Sequence, residues 1–147
     1  MRRLMLMTCA AKVELSMVKQ VLLDTDVVIH LLRKQEGSVK TLLALRQLGA
    51  LLYVCPIVVA EIYAGAFVTE YSQIEAFFSF CRSSMIDDEV GKIAGLYANQ
   101  YRKSHHKISL EDYLIAACAN RYQLQLWTNN KKHYPMQDIQ LFEESNV

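Results

Sequence analysis

At 147 residues, with 52% apolar and 21% charged side chains, the chain suits one globular domain built on a single core and is no disordered polymer. A formal net charge of +1 excludes a broadly basic coat for nucleic acid, so any such contact has to come from a local patch. Cys9, Cys55, Cys81 and Cys118 lie far apart with no CxxC pair, which argues against a disulfide framework or thiolate zinc site and for a reducing cytoplasm.

The chain opens "MRRLMLMTCAAKVELSMVKQ". Its apolar stretch is shorter than the roughly 7–15 residues of a secretory leader, and charged "KVE" follows at once. Residues 1–19 are therefore expected to be an extension or a misassigned start, with Met17 the better candidate initiator and 20–147 the domain. No apolar run approaches the roughly 20 residues that a membrane helix needs.

"VLLD" (21–24) reads as a short buried strand, followed by a helix through about Leu32. Helical spacing of Leu42, Leu43, Leu45 and Leu48 predicts a helix over 39–49 that stops at Gly49. "ALLYVCP" (50–56) is a second strand; Pro56 cannot donate to a ladder but can open a helix, and "IVVAEIYAGAF" follows. "SQIEAFFSFCR" (72–82) is helical again, with Ile74, Phe77, Phe78 and Cys81 on one face. "SSMIDDEV" predicts a brief strand turning into a helix at Asp87–Asp88, acids that suit a helix start. That helix carries a stripe of Ile93, Ala94, Tyr97 and Tyr101. "SLEDYLIAACANRY" (109–122) is another helix, "LQLWT" (124–128) a strand, and "IQL" (139–141) a last short one. Strands alternating with helices predict a mainly parallel sheet covered on both faces, which binds ligands beyond the carboxyl ends of its strands.

Three acids look out of place on this scaffold. Asp24 sits where a buried strand gives way to a helix. Glu61 has Ile57, Val58, Ala64 and Gly65 three and four positions away, which predicts a carboxylate inside an apolar stripe. Asp112 has Ile108, Ser109, Ile115 and Ala116 around it. Each has a bland reading: Asp24 as a helix cap, Asp112 as the last member of a Ser109-x-x-Asp112 capping box, Glu61 paired with a buried base. Together they suggest carboxylates from separate elements meeting at one sheet edge around a hard divalent ion. Mg²⁺ or Mn²⁺ takes oxygen ligands, and phosphodiester hydrolysis needs both an activated water and charge neutralisation on the phosphate.

"LWTNNKKHY" (126–134) brings more polar groups to that edge. Asn130 is placed to orient water at the metal, and Lys131 and Lys132 to hold RNA phosphates. Thr25, Thr128 and Lys131 are the expected substrate contacts. "YRKSHHK" (101–107) reads first as a solvated helix end, and the adjacent His105 and His106 cannot share one helix face as a zinc pair.

With those residues in view, the chain from about Val21 to Leu141 resembles the PIN-domain ribonucleases, most closely the VapC-type toxins of bacterial toxin–antitoxin pairs. "VLLDTDVVIHLL", "PIVVAEIYAGA", "ISLEDYLIAACA" and "LWTNNKKHY" stand in that family's order. The resemblance implies a PIN-like three-layer α/β/α sandwich with a short, mainly parallel central sheet, and Mg²⁺- or Mn²⁺-dependent RNA cleavage. Asp24, Glu61 and Asp112 match the first three acids. Asn130 falls where many members carry a fourth aspartate, a departure that bears on a second metal ion. The family further implies a homodimer and a cognate antitoxin, with promoter DNA bound only through that antitoxin. Two other readings stay open: a non-catalytic PIN-like module that binds RNA or protein, and a haloacid-dehalogenase-like phosphatase with Asp24 as nucleophile and Asp26 as acid. In the second, the later acidic pair should follow "LWTNN", whereas Asp87–Asp88 precedes it.

Overall fold

The computed structural model describes residues 18–147. Cys9, the leader question and the choice of Met17 as initiator lie outside the described residues. Lys19 already takes part in the fold: its carbonyl accepts from Leu51 N at 2.9 Å, and its ammonium donates to the carbonyl of Asn146 at 3.0 Å.

Five strands form one wholly parallel sheet: β1 (Gln20–Leu23), β2 (Leu51–Val54), β3 (Arg82–Ser83), β4 (Gln125–Trp127) and β5 (Gln140–Leu141). Their spatial order is β3-β2-β1-β4-β5. Val21, Leu22 and Leu23 are fully buried in succession, so both faces of β1 are covered and the run is apolar without alternation, as a central parallel strand requires. Six helices supply the cover: α1 (Thr25–Leu32), α2 (Glu36–Gln47), α3 (Pro56–Ala64), α4 (Tyr71–Ser79), α5 (Asp88–Tyr101) and α6 (Leu110–Arg121). The fold is the PIN-like α/β arrangement expected from the sequence.

Local signals account for most of the boundaries. Pro56 opens α3, its missing N–H falling where a helix has no partner for one. Gly49 takes φ +72 after α2, where Gly49 N and Ala50 N close onto the carbonyls of Arg46 and Leu45. Asp87 caps α5, its carboxylate accepting from Val90 N at 2.9 Å, so this acid is structural as read. Two helix ends carried no such signal: Lys34 after α1 and Gln123 after α6 adopt the left-handed region at φ 58 and 56. The stripe on α2 also differs from expectation. Leu45 is buried and Leu42 half-buried, while Leu43 and Leu48 are exposed, because only one narrow face of α2 meets the core.

Chain order reverses direction at β1. The chain fills one side of it with β2 and β3, then crosses to lay β4 on the other. In an open parallel sheet this is the point where the carboxyl ends of adjacent strands leave a crevice for a ligand. Leu23 pairs with Trp127, so the next residues, Asp24 and Thr128, stand side by side at the mouth of that crevice.

Candidate active site at the carboxyl edge of the sheet

Asp24 is 6% exposed and tied down on every side. Its N–H donates to the carbonyl of Trp127 at 3.0 Å. Its Oδ1 accepts from Thr25 N at 2.8 Å, and its Oδ2 from the Thr128 hydroxyl at 2.7 Å. The helix-cap reading is therefore correct, yet it does not explain the burial, since a cap works equally well at the surface. Burial, reinforced by the neighbouring charge of Asp26 and opposed by the Thr128 hydrogen bond, lifts the Asp24 carboxyl from 3.8 to about 6. Among the described residues no Lys or Arg pairs with it.

Asp112 comes from the first turn of α6. The capping box is present: the Ser109 hydroxyl accepts from Asp112 N at 3.2 Å, and Asp112 Oδ2 accepts from Ser109 N at 3.1 Å. The carboxylate does more than cap. Its Oδ2 lies 3.0 Å from His133 Nδ1, and its Oδ1 3.4 Å from the hydroxyl of Tyr134. Tyr134 is 3% exposed, and the charge of Asp24 acts on it as well. Burial first, then the charges of Asp24 and Asp112, push that phenol far above its ordinary range, so it stays a protonated donor.

Asp26 is a further acid at this edge of the sheet, although the sequence reading used it only for the phosphatase alternative. Its Oδ1 accepts from Val27 N at 2.7 Å and its Oδ2 from Asn129 N at 3.1 Å, which pins the loop after β4 to the start of α1. Burial raises its pKa, and the nearby charge of Asp112 adds to the rise.

Glu61 departs from expectation. It is exposed, not enclosed in an apolar stripe, and its carboxylate accepts a hydrogen bond from the Thr25 hydroxyl. The apolar neighbours misled because Ala64 and Gly65 are themselves exposed; only Val58 among the four is buried. Nor, among the described residues, is Glu61 paired with a buried base, the bland alternative. It sits on the α1–α3 flank, joined to the Asp24 side through Thr25.

The remaining expected contacts divide by exposure. Thr128 is 3% exposed and fully engaged, donating to Asp24 and accepting from Asn130 N at 2.9 Å, so it orients Asp24 rather than facing a substrate. Asn130 is exposed, at the head of a single 3-10 turn, Lys131–His133. Lys131 pairs with Glu143 at 2.8 Å, both half exposed. A cleft of about 630 Å³ opens beside this turn, lined by Thr128, Asn129, Asn130, Lys131 and Lys132 on one side and by Phe142, Glu143, Glu144 and Ser145 on the other.

The donor chemistry suits a hard divalent ion: oxygen ligands only, around a buried carboxylate that no cation compensates. Among the described residues no three His, Cys, Asp or Glu side chains are gathered as a complete cage. Magnesium does not require one, since it keeps several waters and binds through one or two carboxylates. Asp24 and Asp112 are the carboxylates that could supply that number.

Tyr134, Asp26 and His133 are the members that pattern reading undervalued. Each stands in a quoted motif, but nothing in spacing or periodicity says that Tyr134 folds inward while Lys131 and Lys132 turn out.

Comparison with known proteins bears on family and fold. The family model described as PIN domain matches residues 21–138. "Ribonuclease VapC19" of Mycobacterium tuberculosis is 34% identical over 115 residues, covering 78% of this chain and 92% of that protein. "Ribonuclease VapC10" of the same organism is 34% identical over 116 residues, covering 79% of this chain and 86% of that one. Among solved structures, VapBC-1 from nontypeable Haemophilus influenzae aligns with a TM-score of 0.74 at 22% identity, over 86% of this chain and 98% of that chain. VapBC2 from Rickettsia felis, bound to a DNA fragment from its promoter, aligns with a TM-score of 0.74 at 20% identity, over 84% and 97%.

Proposed function

The chain belongs to the PIN-domain family, in its VapC-type branch, and from that premise we propose that it is a metal-dependent endoribonuclease, the toxin of a type II toxin–antitoxin pair. The observation that carries this reading is Asp24: a carboxylate buried at the sheet's switch point, without a Lys or Arg partner among the described residues. The ribonuclease relatives support the substrate class, and the toxin–antitoxin assemblies among the structural neighbours support the partner.

Asp24 and Asp112 would hold Mg²⁺ or Mn²⁺. Bound there, the ion would supply a water of lowered pKa and neutralise charge on the scissile phosphate. Thr128 and the amide of Thr25 fix the two oxygens of Asp24, so the carboxylate needs no reordering when the ion arrives. Glu61, exposed and held through Thr25, is suited to order water at the rim of the site. Asn130 presents a free amide over the cleft, where it can align water or the RNA backbone. Lys132 adds a positive charge for phosphate, while Lys131 must first leave Glu143 to do the same.

For the antitoxin, the apolar groove of about 240 Å³ between α1, α3 and α4 is the natural seat, bounded by Ile29, Leu32, Ile62 and Ile74 and reaching Glu61. Phe67 and Val68, each 76% exposed, extend its apolar surface. A homodimer, a cytoplasmic location and promoter binding only through the antitoxin complete the proposal. Among the described residues no helix is long and apolar enough to cross a membrane.

The test is RNA cleavage by the purified chain. Activity should appear with Mg²⁺ or Mn²⁺, stop with EDTA and vanish in Asp24→Ala. Full activity in that variant would refute the assignment, and metal-independent RNA binding without cleavage under any divalent ion would favour the non-catalytic reading.

A further inference from the structure

Lys131 and Lys132 stand side by side at the turn after β4, yet only Lys131 is engaged. Its Nζ lies 2.8 Å from Glu143 Oε2, whereas Lys132 has no ion-pair partner among the described residues. The acid comes from the segment after β5, which is fastened along its length. Phe142 N donates to the carbonyl of Leu126 at 2.8 Å, Trp127 Nε1 to Glu144 Oε1 at 3.0 Å, and Lys19 Nζ to the carbonyl of Asn146 at 3.0 Å. Phe142 is buried against Trp127, with ring centroids 5.5 Å apart. Glu143 is thus held on one wall of the cleft and Lys131 on the other, and the ion pair spans them.

The pair joins two long side chains that are each half exposed, so it adds little to the stability of the fold. What it changes is the charge offered to a ligand. Carboxylate and phosphate both bring anionic oxygens to the same ammonium donors, so a phosphate must displace Glu143 before it binds Lys131. We propose that Glu143, carried on the chain's own segment after β5, is a gate on RNA binding: it competes with the phosphate backbone for Lys131. The proposal rests on the endoribonuclease reading of the neighbouring site. A strand that touches only Lys132 leaves the pair closed, and one that seats fully in the cleft opens it and gains a second phosphate contact.

The experiment measures binding of a fluorescein-labelled oligouridine to the full chain by fluorescence anisotropy, in EDTA so that nothing is cleaved. The proteins are wild type, Glu143→Gln, Lys131→Gln and the double variant; both side chains are half exposed, so neither substitution disturbs the core. Glu143→Gln should bind about threefold more tightly, the scale of an exposed ion pair. Lys131→Gln should bind about fivefold more weakly, and its slope of log affinity against log salt should flatten by about 0.7, as loss of one phosphate contact to a single strand requires. In the double variant the gain from Glu143→Gln should vanish, because the lysine it releases is gone. With Mn²⁺ present, Glu143→Gln should lower KM for RNA cleavage about threefold and hold kcat within about twofold of wild type. Where binding in EDTA is too weak to titrate, the same comparisons are made on KM.

Unchanged or weaker RNA binding in Glu143→Gln, or an equal gain with and without Lys131, would overturn the inference and leave the endoribonuclease reading standing. So would a Lys131→Gln chain that binds RNA as wild type does. A wild-type chain that neither binds RNA nor cleaves it with any divalent ion would overturn both.

Discussion

Asp24 and Glu61 are both acids at the carboxyl edge of the same sheet, yet their surroundings are opposite. Asp24 lies in the seam between β1 and β4, 6% exposed, with both oxygens hydrogen-bonded. Glu61 stands on the α1–α3 flank, open to water, with the Thr25 hydroxyl on its carboxylate. A buried anion without a counter-ion costs the fold free energy, whereas an exposed one costs almost nothing. The seam therefore stores a demand for a cation and the flank does not. Under the proposed function the seam would hold the ion and the flank would shape what surrounds it.

The sharpest way to break this contrast is to remove the charge in the seam. Asp24→Asn should lower metal-dependent RNA cleavage by about 1,000-fold, the scale of several kcal/mol that a bound ion contributes to phosphoryl chemistry. A multiple-turnover cleavage assay at saturating Mn²⁺ measures it, and a variant within tenfold of wild type would put the ion elsewhere.

The stored demand should also be visible without metal. Folded Asp24 keeps its proton up to about pH 6, whereas the unfolded chain releases it near 3.8. The folded state thus binds more protons in that window, so metal-free stability falls as pH rises through it and the whole penalty is present above pH 6. The penalty is on the order of 3 kcal/mol. Urea unfolding in EDTA at pH 4 and pH 7 should show wild type losing stability relative to Asp24→Asn by that order, and parallel curves would contradict the burial argument.

Adding the ion should relieve the same penalty. At Mn²⁺ a hundredfold above its dissociation constant, stabilisation is about 2.7 kcal/mol, which for a chain of this size raises the melting temperature by roughly 5–10 °C. Differential scanning calorimetry at pH 7 should find this shift in wild type and in Glu61→Gln, but not in Asp24→Asn. Equal shifts in all three would erase the distinction between seam and flank.

The smallest effect belongs to the flank itself. Glu61→Gln keeps an acceptor for the Thr25 hydroxyl and removes only an exposed charge, so cleavage should fall about tenfold with stability unchanged. A loss as large as that of Asp24→Asn would make Glu61 a direct ligand and the comparison would need redrawing.

Much of this was legible in the residues because it depends on near neighbours. The apolar run before Asp24, the proline at 56, the glycine at 49 and the Ser109-x-x-Asp112 box act within four residues of themselves, and each element they predicted is present. The strand–helix alternation likewise called for a parallel sheet and its carboxyl-edge crevice. What failed was inference of burial from composition alone. Ala64 and Gly65 count as apolar, but that side of α3 is exposed, so Glu61 is open.

The sequence by itself determined which segments become strands and helices, and which acids could stand at the end of β1 and the start of α6. Only the tertiary structure decided that Thr128 orients Asp24 across 104 positions, that Tyr134 turns inward to meet Asp112, and that Lys131 pairs with Glu143. The physical reason is range. Helix caps and turns are settled by torsions and hydrogen bonds among adjacent residues, whereas the surroundings of a side chain depend on strands that meet only after the whole sheet has closed.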